Sequence, residues 1–262
     1  MRLTYLAIGV YAVMVGFVSI LLNANVAQAA KSINETDVLP NSFEFIGRAY
    51  EPKTGVLLYT EKHSIKLNAS GQYQAAKVIY LDEQGKLFAE KTLDYGQWST
   101  MPTTYFYEVD SSFYFKVQSA LTNVKSDLLL EYKDENEDFK EQIAVDRPRY
   151  SVVDAGFDRL VSQNWQSLID GKALTFSFLA VTRSAFYQFR LVPLKQADNT
   201  RLVLRLEPDN AFFRWLLDPA YLTYGMENRK LIRFEGLTNI RKRINGQPQD
   251  ENYVAVIEYD YL

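Results

Sequence analysis

The chain has 262 residues, a formal net charge of −3, one histidine and no cysteine. That composition excludes disulfides, thiol catalysis, cysteine zinc sites and a lipid-modified N-terminal cysteine. It also excludes the strong positive field that a nucleic-acid binder needs.

Taken from the N-terminus, residues 1–29 read as a secretory signal. Arg2 is the only charge before Lys31, Leu3 to Leu22 is almost wholly apolar, and Ala27-Gln28-Ala29 is a small-x-small cleavage site. Cleavage there leaves a chain of formal charge −4, because Arg2 is the one charge removed. The expected location is the periplasm. The alternative is a retained inner-membrane anchor, since about 20 apolar residues can span a bilayer. Residues 30–42, with Pro40, read as a flexible leader, and 43–262 as a single β-rich domain.

Phe45 to Tyr50 is strand-like and is followed by a Pro-Lys-Thr-Gly turn at 52–55. From Val56 to Leu67 the chain alternates, with Leu57, Tyr59, His63, Ile65 and Leu67 on one parity, as in a half-buried strand. Lys77 to Leu81, a turn at 82–85 and Lys86 to Leu93 continue an antiparallel meander. Further strands are expected at 103–109, 113–117 and 128–132. The acidic segment 134–141 lacks the spaced ligands of a calcium loop and reads as a solvated hairpin tip.

One long helix is expected over Val153 to Ile169, capped by Asp154 and stopped by Gly171, its apolar face laid across the sheet. It is the one natural joint in the chain, so two sub-sheets around it are a possible arrangement. Strands follow at 174–181, 186–194 and 201–207. In the last, Leu202, Leu204 and Leu206 point one way. A short helix, Asn210 to Leu217, is apolar nearly all round, which suggests burial on several sides. Strands at 221–224, 231–236 and 253–261 complete the sheet, with Gly246-Gln247-Pro248 in the final loop. The expected fold is therefore mainly β (α+β): a curved antiparallel sheet or half-barrel with one long and one short apolar helix packed on it.

The chemistry on offer is limited. His63 shares the parity of core residues, so its expected role is structural. No Gly-x-Ser-x-Gly, P-loop or Gly-x-Gly-x-x-Gly occurs, and one histidine cannot make a His-rich zinc site. No catalytic residue, metal or cofactor is assigned. Two features suggest binding. Phe212, Phe213, Trp215, Leu216 and Leu217 form a candidate apolar plug over a cavity, with ordinary core as the plainer reading. Arg229, Lys230 and Arg233 open a basic run ending in Arg241, Lys242 and Arg243. They are candidate contacts for anionic head groups, with a solvated face as the plainer reading.

The pieces Leu-Arg-Leu-Glu (204–207), Leu-Leu-Asp-Pro (216–219), Leu-Thr-Tyr (222–224) and the run 230–240 resemble a family of uncharacterised exported bacterial proteins. Segments 47–50 and 54–63 are similar to the same family. More distantly, the strands ending in Phe234-Glu-Gly resemble the LolA-like lipoprotein-carrier and anti-sigma-factor-regulator half-barrels. That resemblance implies a curved sheet with helices in its concavity. The functional expectation is a non-enzymatic envelope protein that binds a lipid or other apolar or amphipathic ligand. It would meet the membrane only through its signal or by transient surface contact. The alternatives are a structural or protein-interaction module of the periplasm and a carboxylate-dependent hydrolase.

Overall fold

The computed structural model describes residues 41–262 apart from 97, 123–124, 135, 147 and 196–198. The signal sequence and nearly all of the leader lie outside the described residues. Fifteen strands form one sheet: β1 Ser42–Tyr50, β2 Leu57–Leu67, β3 Tyr73–Asp82, β4 Leu87–Asp94, β5 Thr103–Glu108, β6 Tyr114–Thr122, β7 Lys125–Lys133, β8 Asp138–Ala144, β9 Ser151–Val152, β10 Leu174–Ala180, β11 Ala185–Leu194, β12 Arg201–Pro208, β13 Ala220–Gly225, β14 Leu231–Ile244 and β15 Gln247–Tyr261. Their spatial order is β8 back to β1, then β15 back to β9. Every pair is antiparallel except β9–β10. The two sub-sheets are thus joined into one by β1–β15, where Phe45 faces Tyr261 and Tyr50 faces Val256.

The sheet curls without closing. Its edges, β8 and β9, both lie at the joint around residues 145–173, and no ladder links them. Side chains seal the seam instead: Val117, Leu128 and Leu130 from β6 and β7 form one buried cluster with Leu179 of β10, Met101 and Val153. Hydrophobic burial needs no hydrogen-bond register, so it can join edges that a ladder cannot.

Two short helices pack against the inner face of the sheet. The expected long helix is two short ones, α1 Gly156–Gln163 and α2 Trp165–Ile169, broken at Asn164 (φ −109°). The Asn164 side chain donates to the Leu160 carbonyl, competing with a continuous helix. Leu160, Val161, Trp165 and Leu168 are buried against Phe176, Leu191, Leu204 and Tyr224. Asp154 is not the helix cap; Ala155 holds that position. Gly156 opens α1 because a Cβ there would stand 2.0 Å from the Thr100 carbonyl oxygen. Gly171 takes φ +81° just past the end of α2, as a helix stop requires.

Two other expectations are corrected. Residues 246–248 are not a loop. Asn245 and Gly246, both at positive φ, make a two-residue turn between β14 and β15, the longest strands of the molecule. The helix at 210–217 is a single surface turn and a half, α3 Ala211–Leu216. None of its residues is buried, and Trp215 is 82% exposed.

Candidate functional site

Antiparallel connections fall alternately at the two ends of the curled sheet. The turns at 51–56, 83–86, 109–113, 181–184 and 245–246, together with α3, lie at one end, which we call the mouth. The α1–α2 unit and the connections at 68–72, 95–102 and 226–230 lie at the other. A cavity of about 1090 Å³ runs between them. Pro52, Asn210, Phe213, Leu217 and Pro219 line it near the mouth, and Ala155, Phe157 and Asp158 of the α1 segment line its floor. Its walls are the inward faces of the strands and are largely aromatic: Phe45, Phe115, Phe178, Phe189, Phe234 and Tyr259 among them.

Three polar groups interrupt these walls. On β2, inward Glu61 and His63 face each other, with Oε2 2.8 Å from Nε2. His63 also stacks on Phe45, centroids 4.1 Å apart. Glu61 is 7% exposed, and the Tyr259 hydroxyl lies 3.5 Å from its carboxylate. Glu61 shares the β2 parity of Tyr59 and His63, so its inward position follows from the alternation of the strand.

The second group is a buried ion pair. Lys91 Nζ of β4 donates to both carboxylate oxygens of Asp154, at 2.8 and 2.9 Å. Asn239 donates to Asp154 at 3.1 Å. Asp154 sits at φ +45°, a conformation uncommon for a non-glycine residue. The ion pair and its own Oδ1, which accepts from the Ala155 amide at 2.7 Å, hold it there. The pair therefore fixes where α1 enters the concavity.

The third group is Asp158 at the floor. It faces the hydroxyls of Tyr73 and Tyr224, with Tyr95 and Tyr261 nearby. Its residual exposed surface borders the cavity. Burial raises its pKa above the ordinary aspartate range, against the opposing pull of the Arg159 guanidinium. The Arg159 guanidinium lies 4.8 Å from the Tyr73 ring centroid. Burial also pushes the hydroxyls of Tyr73, Tyr95 and Tyr224 up, so at neutral pH they are uncharged.

The proposed plug residues divide. Phe213 and Leu217 line the cavity, whereas Phe212 and Trp215 face outward. Arg214 holds α3 through the Pro208 carbonyl at 3.2 Å and the Asp209 carbonyl, and Asn210 caps the helix at the Phe212 amide, 2.9 Å. The basic run does not form one patch. The 14 residues of β14 place Lys230 and Arg243 roughly 45 Å apart along the strand. Arg229 lies over Trp165, Lys230 lies over Tyr261 and Phe43, and Arg233 pairs with Glu235 and Glu258. Arg241 and Arg243 are committed to Glu108 and Asp110.

No family model and no curated protein matches the chain, so neither sequence resemblance gains support there. Among solved structures, a porin-like protein from Bacteroides uniformis is similar over 85% of this chain and 96% of its own, at 10% identity and a TM-score of 0.21. A likeness that weak carries no argument about fold or function.

Proposed function

We propose that the protein is a non-enzymatic binder of an apolar or amphipathic ligand, held in the interior of the curled sheet. The observation that carries this reading is the cavity itself. The cavity is open to solvent, holds about 1090 Å³ and is lined largely by aromatic side chains. Ligand pockets run to roughly 300–1,000 Å³ with apolar linings and a few convergent polar groups. With the export signal expected at residues 1–29, the ligand would be met in the periplasm.

The outer surface supports the same reading. Outward positions carry cross-strand ion pairs, such as Lys77–Glu90 at 2.8 Å and Lys140–Glu131 at 3.0 Å. A lipid-embedded barrel has the reverse arrangement, apolar outside and polar within. Edge pairing with a partner protein is less well served. The exposed edge β8 carries charged Lys140 and Glu141, which blunt such pairing, and many tyrosines turn inward.

The test is uptake of the neutral dye N-phenyl-1-naphthylamine by the purified chain, read as fluorescence enhancement. Wild type should bind it saturably. Leu206→Trp, which fills the cavity from β12, should weaken binding about tenfold or more while the far-UV spectrum is unchanged. Absence of dye binding in wild type, or equal binding by the filled variant, would overturn the proposal.

A further inference from the structure

The one histidine of the chain presents a ring nitrogen to the cavity. Its Nε2 donates to Glu61 Oε2 at 2.8 Å, since a carboxylate can only accept. That bond settles which nitrogen is engaged and leaves Nδ1 over. Among the described residues Nδ1 takes no hydrogen bond, and it is not sealed from accessible space. The ring is on the inward face of β2 and lines the cavity, so that space is the cavity.

The surroundings hold this ring in one orientation. Phe45 covers one face, with planes 10° apart, and Tyr259 meets it edge-on at 6.0 Å between centroids. Gly47 stands opposite Glu61 on β1 and leaves room for the arrangement. A Cβ there would lie 3.1 Å from Glu61 Oε2 and 2.7 Å from Cε1 of Tyr259. A buried charged pair is weak evidence for stability. What this one supplies is a polar atom held at a fixed place in an otherwise aromatic wall. The chemistry of that atom selects the head group. An ammonium can donate but not accept, and a carboxylate can accept but not donate, so each suits Nδ1 in only one of its two protonation states. A hydroxyl does both, and it brings no charge that must be taken from water. A carboxylate is further disfavoured because Lys91, the only lysine or arginine lining the cavity, gives both of its short contacts to Asp154.

Resting on the apolar-ligand reading above, we propose that the ligand is a neutral amphiphile with a hydroxyl head, of the class of long-chain alcohols and monoacylglycerols. Its hydroxyl hydrogen-bonds His63 Nδ1, and its chain lies along the aromatic walls. Charged amphiphiles of either sign are the disfavoured class.

The experiment is competition against the bound naphthylamine dye with three compounds of equal chain length: dodecanol, dodecanoate and dodecylammonium, each below its solubility or micelle limit. In wild type dodecanol should displace the dye at concentrations at least about fivefold lower than either ion. His63→Phe keeps a ring against Phe45 but removes both nitrogens. It should weaken dodecanol by about threefold to tenfold relative to the dye, the loss expected of one hydrogen bond. His63→Gln, which restores a hydrogen-bonding group, should recover part of that loss. If either ion competes as well as dodecanol in wild type, or if His63→Phe leaves dodecanol unchanged, the hydroxyl assignment fails and the apolar cavity stands. If the dye itself does not bind, the underlying reading fails as well. The wild-type ranking decides the matter even if His63→Phe does not fold.

Discussion

In α1 and α2, Leu160, Val161 and Leu168 are wholly buried, whereas α3, denser in apolar residues, buries none and leaves Trp215 82% exposed. The difference lies in how each segment is connected. The α1–α2 unit sits between two sheet edges that cannot pair with each other, so the chain can fold back into the concavity and lie against many strands. The α3 segment joins two strands that pair directly with each other, Leu206 opposite Ala220. A connection between paired neighbours stays at their end and reaches little but the rim. Apolar content therefore marked both segments, but topology decided which one became core.

The largest effect should come from breaking the anchor that inserts the buried unit. Lys91→Met leaves Asp154, 8% exposed at its side chain, without its counter-ion. Removing one partner of a buried pair costs about 3–5 kcal/mol, which urea denaturation would measure. A loss below about 1 kcal/mol would show that Asp154 relaxes to solvent and that the pair does not hold α1. Next comes the packing of the unit itself. Leu160→Ala should cost about 2–5 kcal/mol, since the side chain is 0% exposed and surrounded by strand residues. A much smaller loss would mean that the helix is loosely seated.

The strands were legible in the sequence where alternation was clean. In β12, Leu202 and Leu204 are buried as their shared parity requires, and in β2 Tyr59 and Ile65 are buried while Lys62, Ser64 and Lys66 are exposed. Legibility failed where a local pattern had two outcomes. Of the stretch read as a helix over 210–217, residues 211–216 are helical, but burial depended on strand neighbours that no local window contains. The basic run 229–243 looked like a patch because sequence proximity hides the length of an extended strand. The floor of the cavity was the least legible part. Tyr73, Tyr95, Asp158, Tyr224 and Tyr261 come from five separate segments, and only the curl of the sheet brings them together.

The smallest expected effect lies at the other pole of the comparison. Among the described residues Trp215 makes no ring contact, and its helix is held by Arg214 on two carbonyls and by the Asn210 cap. Trp215→Ala should therefore change stability by no more than about 0.5 kcal/mol, as for surface substitutions generally. Hydrogen exchange checks the same point without mutation. The amides of 212–216 should exchange well before those of 202–206, because local opening of α3 exposes little buried apolar surface. If Trp215→Ala instead destabilised the protein as much as Leu160→Ala, α3 would be packed in solution as the α1–α2 unit is. The contrast between rim and floor would then vanish.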